Sequence, residues 1–203
     1  MIWESCHWKE PLLKERKYLS QFRATQSTKE STFAGIEKRI FISFYAIRKL
    51  IEADKLTTAY LSLKWKITKY PNTELVDIMN WHKINRKYDL SKETHETRDL
   101  EWICNQIIHS FVFIPIFRES GLFDGAYVSS DRNKNRCVYY FTRKLMFDLF
   151  ELIGNDYPSA SQRVRGEDGQ WITENYDLPN QEVEPMLKTL VEEFEAQSSK
   201  AHL

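Results

Sequence analysis

Apolar residues recur every three or four positions in several long segments of the chain. The longest run predicts an amphipathic helix that begins near Ser31 or Thr32, either of which could cap it. Its apolar side consists of Phe33, Ile36, Ile40, Phe44, Ile47 and Ile51. The same spacing predicts five further helices, which begin near Glu10, Thr73, Thr97, Thr142 and Pro185.

Other segments alternate between apolar and polar residues, as half-buried strands do. From Leu61 to Thr68 the alternation predicts a strand that ends at Tyr70, and it turns Leu63, Trp65 and Ile67 towards the core. Lys64 and Lys66 then point to solvent. A meander of three strands is predicted over residues 111–117, 122–129 and 137–141. Pro115 predicts an edge position or a bulge for the first of these strands, because proline lacks the N–H group of a central strand.

Together these elements predict an α+β fold, in which five or six helices pack on a small, mainly antiparallel sheet that contains the meander. The 203 residues are interpreted as a single domain spanning 1–203. Its core covers about 10–154, and a loop-rich region with a short strand at 171–173 covers 155–180. The C-terminal helix and tail cover 181–203.

Composition narrows the possible partners. Lysine plus arginine and aspartate plus glutamate number 29 each, so no overall positive field draws the chain to nucleic acid, and any such contact would be local and weak. No apolar run approaches the roughly 20 residues of a membrane-spanning helix. We therefore expect a cytoplasmic location and no membrane partner. Three widely spaced cysteines without a CxxC pair indicate reduced, packed thiols, so we expect neither a metal nor a cofactor.

Several common catalytic motifs are missing from the sequence. It contains no GxxxxGK[ST] phosphate loop, no GxGxxG dinucleotide loop, no HExxH zinc motif and no GxSxG nucleophile motif. P-loop hydrolysis, zinc proteolysis and α/β-hydrolase chemistry therefore lose their usual support.

One predicted helix carries the best catalytic candidates. At about 100° per residue, Arg98, Trp102, Asn105 and His109 form a stripe beside the apolar stripe of Leu100, Ile103, Ile107 and Phe111. An imidazole oriented by the Asn105 amide could transfer protons near neutral pH. The alternative is that His109 ends the helix and interacts with its free carbonyl groups, while Asn105 bonds a neighbouring backbone.

The segment CNQIIH, residues 104–109, resembles the RNxxxH signature of HEPN domains, a helical superfamily that includes RNA-cleaving toxins and defence effectors. The resemblance implies a metal-independent ribonuclease in which Asn105 and His109 match the motif. Cys104 stands where the family has arginine, and a cysteine supplies no permanent cation. Arg98 lies eleven residues from His109, about 16 Å along the helix axis, so it would substitute only from another subunit.

Longer segments are similar to a family of uncharacterised bacterial proteins of about this length. They are FYAIRKLIEADKL, NWHKINRKYDLS, ICNQIIHSFVFIPIF and SSDRNKNRCVYYF. This resemblance implies a bacterial cytosolic origin and brings no activity with it.

The densest positive region is the turn between the last two meander strands. Arg132, Lys134 and Arg136 lie there, with Tyr139 and Tyr140 close by, and such a cluster could bind phosphates with some base stacking. The alternative is a solvated hairpin turn, since turns favour polar residues.

The sequence therefore supports two hypotheses. The first is a non-catalytic cytosolic binding module of a bacterial system such as defence or a mobile element, which contacts another protein or self-associates. The abundance of Trp and Tyr, residues enriched at interface cores, favours it. The second is a HEPN-type ribonuclease with a degenerate active site built on His109, Asn105 and Arg98.

Overall fold

The fold combines six helices with seven strands in the part that the structure, a computed structural model, describes, which is residues 2–177. The helices are α1 Cys6–Gln21, α2 Glu30–Glu52, α3 Thr58–Ser62, α4 Ile84–Lys87, α5 Leu100–Ile108 and α6 Arg143–Gly154. The strands are β1 Trp65–Pro71, β2 Thr94–Arg98, β3 Ser110–Phe117, β4 Phe123–Ser130, β5 Cys137–Thr142, β6 Ala160–Arg165 and β7 Trp171–Tyr176. The α+β class is confirmed. The helix predicted near Pro185, with Leu187, Leu190, Val191 and Phe194, lies outside the described residues.

The main sheet has five antiparallel strands in the order β2-β1-β5-β4-β3. The predicted meander is confirmed, because β3, β4 and β5 are consecutive neighbours. β3 is an edge strand, which accommodates Pro115, and its pairing with β4 is irregular near both ends. β6 and β7 form a separate two-stranded hairpin within the region predicted to be mostly loop.

Helices cover one face of the main sheet. α5 and α6 lie against its strands, α2 packs on α5, and α1 packs on both α2 and α6. The main core lies between these helices and the sheet. The other face carries a smaller apolar cluster of Tyr70, Val76, Ile84, Tyr88, Val112 and Val138. The segment between β1 and β2 supplies three of these residues, so it covers part of this outer face.

The apolar stripe of α2 forms the centre of the main core. Ile36, Ile40, Phe44 and Ile47 are fully buried, as their spacing predicts. The helix begins at Glu30 rather than at Ser31 or Thr32, and Lys29 occupies the cap position without a side-chain cap. An acidic residue in the first turn is favourable there, because the helix N-terminus carries partial positive charge.

Two predicted boundaries near the N-terminus and β1 are wrong. α1 begins at Cys6, four residues before Glu10, because Trp8 and the buried Lys9 already pack against the body of the protein. The strand predicted from Leu61 begins only at Trp65, because residues 58–62 form a short helix. Leu63 is therefore exposed, Trp65 is half-buried, and Ile67 is buried as predicted.

The segment between β1 and α5 also differs from its prediction. Residues 73–83, predicted as a helix, form a series of turns, and 84–97, predicted as mostly loop, contain α4 and most of β2. The sequence does not predict β2, because its residues THETR lack apolar alternation. The strand forms by backbone hydrogen bonds to β1 instead. Phe111, placed on the helix stripe, lies in β3 instead.

Candidate functional site

Asn105 and His109 face a common cleft at the C-terminal end of α5. The Asp99 carboxylate caps the start of this helix by accepting a hydrogen bond from the Trp102 backbone at 2.9 Å. His109 follows the last helical residue, and its backbone N–H donates to the Asn105 carbonyl at 3.1 Å. The cleft measures about 560 Å³ and is lined by Arg48, Asn105, Gln106, His109, Ser130, Asp131 and Arg132. The structure thus brings Arg132 of the basic turn to the same cleft as His109.

Most charges around this cleft are neutralised by neighbours. Arg48 pairs with Glu52 at 2.9 Å and with Glu101, and Asp131 pairs with Lys134 at 2.6 Å. Within residues 2–177, neither the Arg132 guanidinium nor the exposed His109 imidazole hydrogen-bonds another side chain. The ring of His109 therefore lacks the oriented partner that a general base normally has.

Cys104 lies where the HEPN signature has arginine, and the structure places it away from the cleft. Its side chain is fully buried in the main core. Burial raises the pKa of the Cys104 thiol well above its usual range, so the group stays neutral. This position supplies neither a cation nor a nucleophile to the cleft.

Arg98 is not on the helix of His109, which corrects the predicted stripe. It is the last residue of β2, because the Asp99 cap starts α5 after it. Its guanidinium pairs with Glu96 at 2.8 Å and lies 4.9 Å from the ring centre of Trp102. Arg98 does not line the cleft, so the predicted set of His109, Asn105 and Arg98 is not assembled within one chain.

The basic turn, residues 131–136, connects β4 to β5 and is anchored on two sides. Asn133 donates to the Gln106 side chain at 3.3 Å, and Asn135 accepts from the Val76 backbone at 2.7 Å. Contrary to the prediction for this turn, Lys134 does not extend into solvent. Its side chain is only 19% exposed, pairs with Asp131 and lies 3.7 Å from the ring centre of Phe111. Only Arg132 and Arg136 of the three predicted cations are exposed.

The structure lowers the expected salt dependence of any RNA binding at this turn. Two available cations imply a log–log slope of about −1.4 to −1.8, rather than the steeper slope of three contacts. We expect weak binding at low salt that is lost when Arg132 and Arg136 are both replaced by alanine, as measured by fluorescence anisotropy. Lys134→Ala should leave binding nearly unchanged but lower the melting temperature. Full binding by the double variant would place the contact elsewhere.

Sequence reasoning missed an exposed apolar feature between β1 and α4. Leu75, Ile78 and Met79 are 69%, 77% and 77% exposed, and we call these three residues the apolar knuckle. Positions 75, 78 and 79 are spaced as residues on one side of a helix, so the sequence predicts a helix there. The turns instead bury Val76 between them and leave the other three side chains outside.

Local hydrogen bonds hold the knuckle in place. The Asp77 carboxylate accepts from the Met79 backbone at 2.8 Å, and the Asn80 side chain accepts from the Asp77 backbone at 3.0 Å. The Val76 backbone donates to Asn135 of the basic turn, and the Asn72 amide bonds the Glu74 carbonyl at 2.7 Å. The apolar side chains are therefore displayed on an anchored backbone rather than on a free loop.

A groove lies beside the knuckle on the outer face of the sheet, where the smaller apolar cluster ends. It measures about 420 Å³, and we call it the sheet groove. Its lining residues are His82, Lys83, Ile84, Asn85, Arg86, Ile114, Ile116 and Tyr127. Two isoleucines of β3 and a tyrosine of β4 provide apolar surface, and the segment that contains α4 provides the basic residues.

Other site types receive no support within residues 2–177. No group of three or more His, Cys, Asp or Glu side chains there could hold a metal ion. The three cysteines are unpaired, and Cys104 and Cys137 are buried. No helix in this range is both long and apolar enough to cross a membrane.

Comparisons with known proteins identify no relative from which a role could be transferred. No family model, no curated protein and no solved structure matches the chain.

Proposed function

We propose that the protein is a non-catalytic binding module that contacts a partner protein through the apolar knuckle and the sheet groove. The observation that carries this proposal is the knuckle itself, three large apolar side chains that are each more than two-thirds exposed. A bacterial, cytosolic setting such as defence or a mobile element belongs to the same proposal and is supported only by the resemblance of the sequence segments.

The energetics favour an interface at this surface. Burying one large aliphatic side chain is worth about 1.5–3 kcal/mol, so displaying three of them to water gives up stability that a partner would recover. Contiguous exposed apolar surface of this kind is typical of interaction sites. Because hydrogen bonds already fix the backbone of the knuckle, little entropy is lost when it binds.

Site-specific photocrosslinking in cells tests the proposal. A photoreactive p-benzoylphenylalanine replaces Ile78 in the knuckle, and the matched control places it at Ile42, which is 56% exposed on α2, on the helical side of the sheet. We expect covalent protein adducts from position 78 and few from position 42. The proposal would be overturned if position 78 gave no adducts, or no more adducts than position 42.

A HEPN-type ribonuclease is the second candidate, and one observation favours it. Asn105 and His109 line the same cleft as the exposed Arg132, which could stabilise a developing negative charge on phosphate in place of the missing motif arginine. His109 would transfer the proton. Two features disfavour efficient RNA cleavage. The charge of Arg48 is already neutralised by Glu52 and Glu101, and no side chain within residues 2–177 orients the His109 ring.

Incubation with RNA in the presence of a chelator separates the two candidates. We expect that the wild-type protein cleaves no RNA. Cleavage that is lost in both His109→Ala and Arg132→Ala would replace the binding module by the ribonuclease. Because both side chains are exposed, the variants should keep the wild-type melting temperature, which serves as the folding control.

A further inference from the structure

We propose that the occupant of the apolar knuckle and sheet groove is a second copy of this chain, in a dimer with two-fold symmetry. In this dimer the knuckle of each copy fills the sheet groove of the other. The inference rests on the proposed function, since it names the partner of the same surface.

The first argument is the arrangement of the two features. The knuckle is exposed and the groove is recessed, and the two lie close together, because His82 and Lys83 of the groove come three and four residues after Met79 in the chain. Backbone hydrogen bonds from Asn80 to Asp77 and from Lys83 to Asn80 hold this segment in tight turns. A two-fold axis between them places each projection opposite the partner copy's recess. Such an interface uses one patch on both copies and closes on itself, so it gives a dimer rather than a fibre.

The second argument is charge complementarity. Asp77 lies on the knuckle and Lys83 on the rim of the groove, and both are exposed. Neither side chain forms a salt bridge within residues 2–177, whereas the nearby Glu74 is already paired with Arg86 and Lys87 at 3.0 Å each. In the two-fold dimer, Asp77 of each copy faces Lys83 of the other.

The third argument concerns the alternative way in which two copies could join. Edge strand β3 could extend the sheet by pairing with another strand, but Pro115 in its middle lacks an N–H group. The register of β3 is also irregular near both of its ends. These features protect this edge from strand addition. The other edge strand, β2, is only five residues long and carries the charged Glu96 and Arg98, which also disfavour pairing with another strand. The equal numbers of acidic and basic residues leave no net charge to oppose self-association.

Analytical ultracentrifugation of the full chain tests the dimer. We expect a mass of twice the 24.3 kDa of one chain, and a monomer for Ile78→Asp, which puts a charge into the buried interface. The matched control Ile42→Asp introduces the same charge on α2 and should remain dimeric. Because both isoleucines are exposed, neither change should unfold the protein, and circular dichroism checks this.

A charge exchange provides the second, independent measurement. Asp77→Lys and Lys83→Asp should each weaken the dimer by about tenfold in Kd, because like charges then face each other twice across the axis. The double variant restores opposite charges and should recover most of the affinity. Because Asp77→Lys also removes the acceptor of the Met79 backbone, the control is Asp77→Asn, which keeps an amide oxygen there and should weaken the dimer less than Asp77→Lys. Unchanged dimer affinity in both Asp77→Asn and Lys83→Asp would overturn the proposed pairing.

Two further outcomes separate this inference from the proposed function. A wild-type chain that remains monomeric up to about 1 mM, well beyond the concentration of a micromolar complex, overturns the dimer. If position 78 then crosslinks to a different protein, the binding module stands and only its partner changes. If position 78 forms no adduct at all, both proposals fail.

Discussion

Phe44→Ala is expected to lower the free energy of unfolding by about 3–5 kcal/mol, and Ile40→Ala by about 2–5 kcal/mol. Both side chains are fully buried on α2, and the Phe44 ring lies 5.4 Å from the ring of Phe150 on α6. Each truncation removes apolar contacts and leaves a cavity between the helical layers. Urea denaturation measures this loss in the free energy of unfolding, provided that the slope of that free energy against urea concentration is the same in wild type and variant.

The same helix offers a matched control for this prediction. Ile42 lies between Ile40 and Phe44 in the sequence but is 56% exposed, so Ile42→Ala should change the free energy of unfolding by no more than about 0.5 kcal/mol. Near-neutral effects at Ile40 and Phe44 would mean that α2 does not form the centre of the core.

Long helices were the most predictable part of this fold. The stripe of α2 and that of α6, with Leu145, Met146, Leu149, Phe150 and Ile153, both face the main core. α6 begins next to Thr142, as predicted, and Thr142 caps it by accepting from the Leu145 backbone at 3.2 Å. A period of three to four residues over several turns has few other structural explanations.

Short alternating segments were less predictable, because their pattern fits more than one local structure. Leu61, Leu63 and Trp65 alternate with polar residues, yet Leu61 lies in α3 and Leu63 in a loop. The strand begins where β1 pairs with β2, and that pairing involves residues some 30 positions later in the chain. A local pattern cannot specify this register.

The candidate sites depended even more on distant contacts. The helical spacing of Asn105 and His109 predicts that they lie close together. Arg132 reaches their cleft only because the β4–β5 turn contacts the end of α5. The apolar knuckle resembled a helical stripe in sequence. The hydrogen bond from Val76 to Asn135, 59 residues away, helps to hold the observed turns, and a local pattern does not predict it.

Replacing Lys9 is expected to have the second large effect on stability. The Lys9 side chain belongs to α1 and is fully buried near the ends of α2 and α6. Its ammonium group donates to the Lys55 carbonyl at 2.7 Å and to the Asp156 carbonyl. The Asp156 carboxylate in turn accepts from the Thr57 backbone at 2.8 Å and the Thr57 hydroxyl at 2.5 Å. Lys9 therefore connects three segments that are distant in sequence.

Lys9→Met is expected to lower the free energy of unfolding by about 2–4 kcal/mol, because it keeps the apolar stem but leaves one buried and one partly buried carbonyl group without their donor. Lys14→Met, at an exposed position of the same helix, should be near neutral. Urea denaturation at neutral pH compares the two variants. An equally small effect at both positions would mean that the ammonium contributes no net stability.

The pH dependence of this difference provides the sharper test. Desolvation lowers the pKa of Lys9 below its ordinary value of 10.5, so the folded chain releases this proton at a lower pH than the unfolded chain. Between the two pKa values the unfolded state holds more protons, and stability rises with pH. The advantage of wild type over Lys9→Met should therefore grow as the pH is raised towards 10.5, while titrating groups distant from Lys9 cancel in the comparison. An advantage that shrinks over this range would show that the folded state holds the proton more tightly, contrary to the desolvation of Lys9.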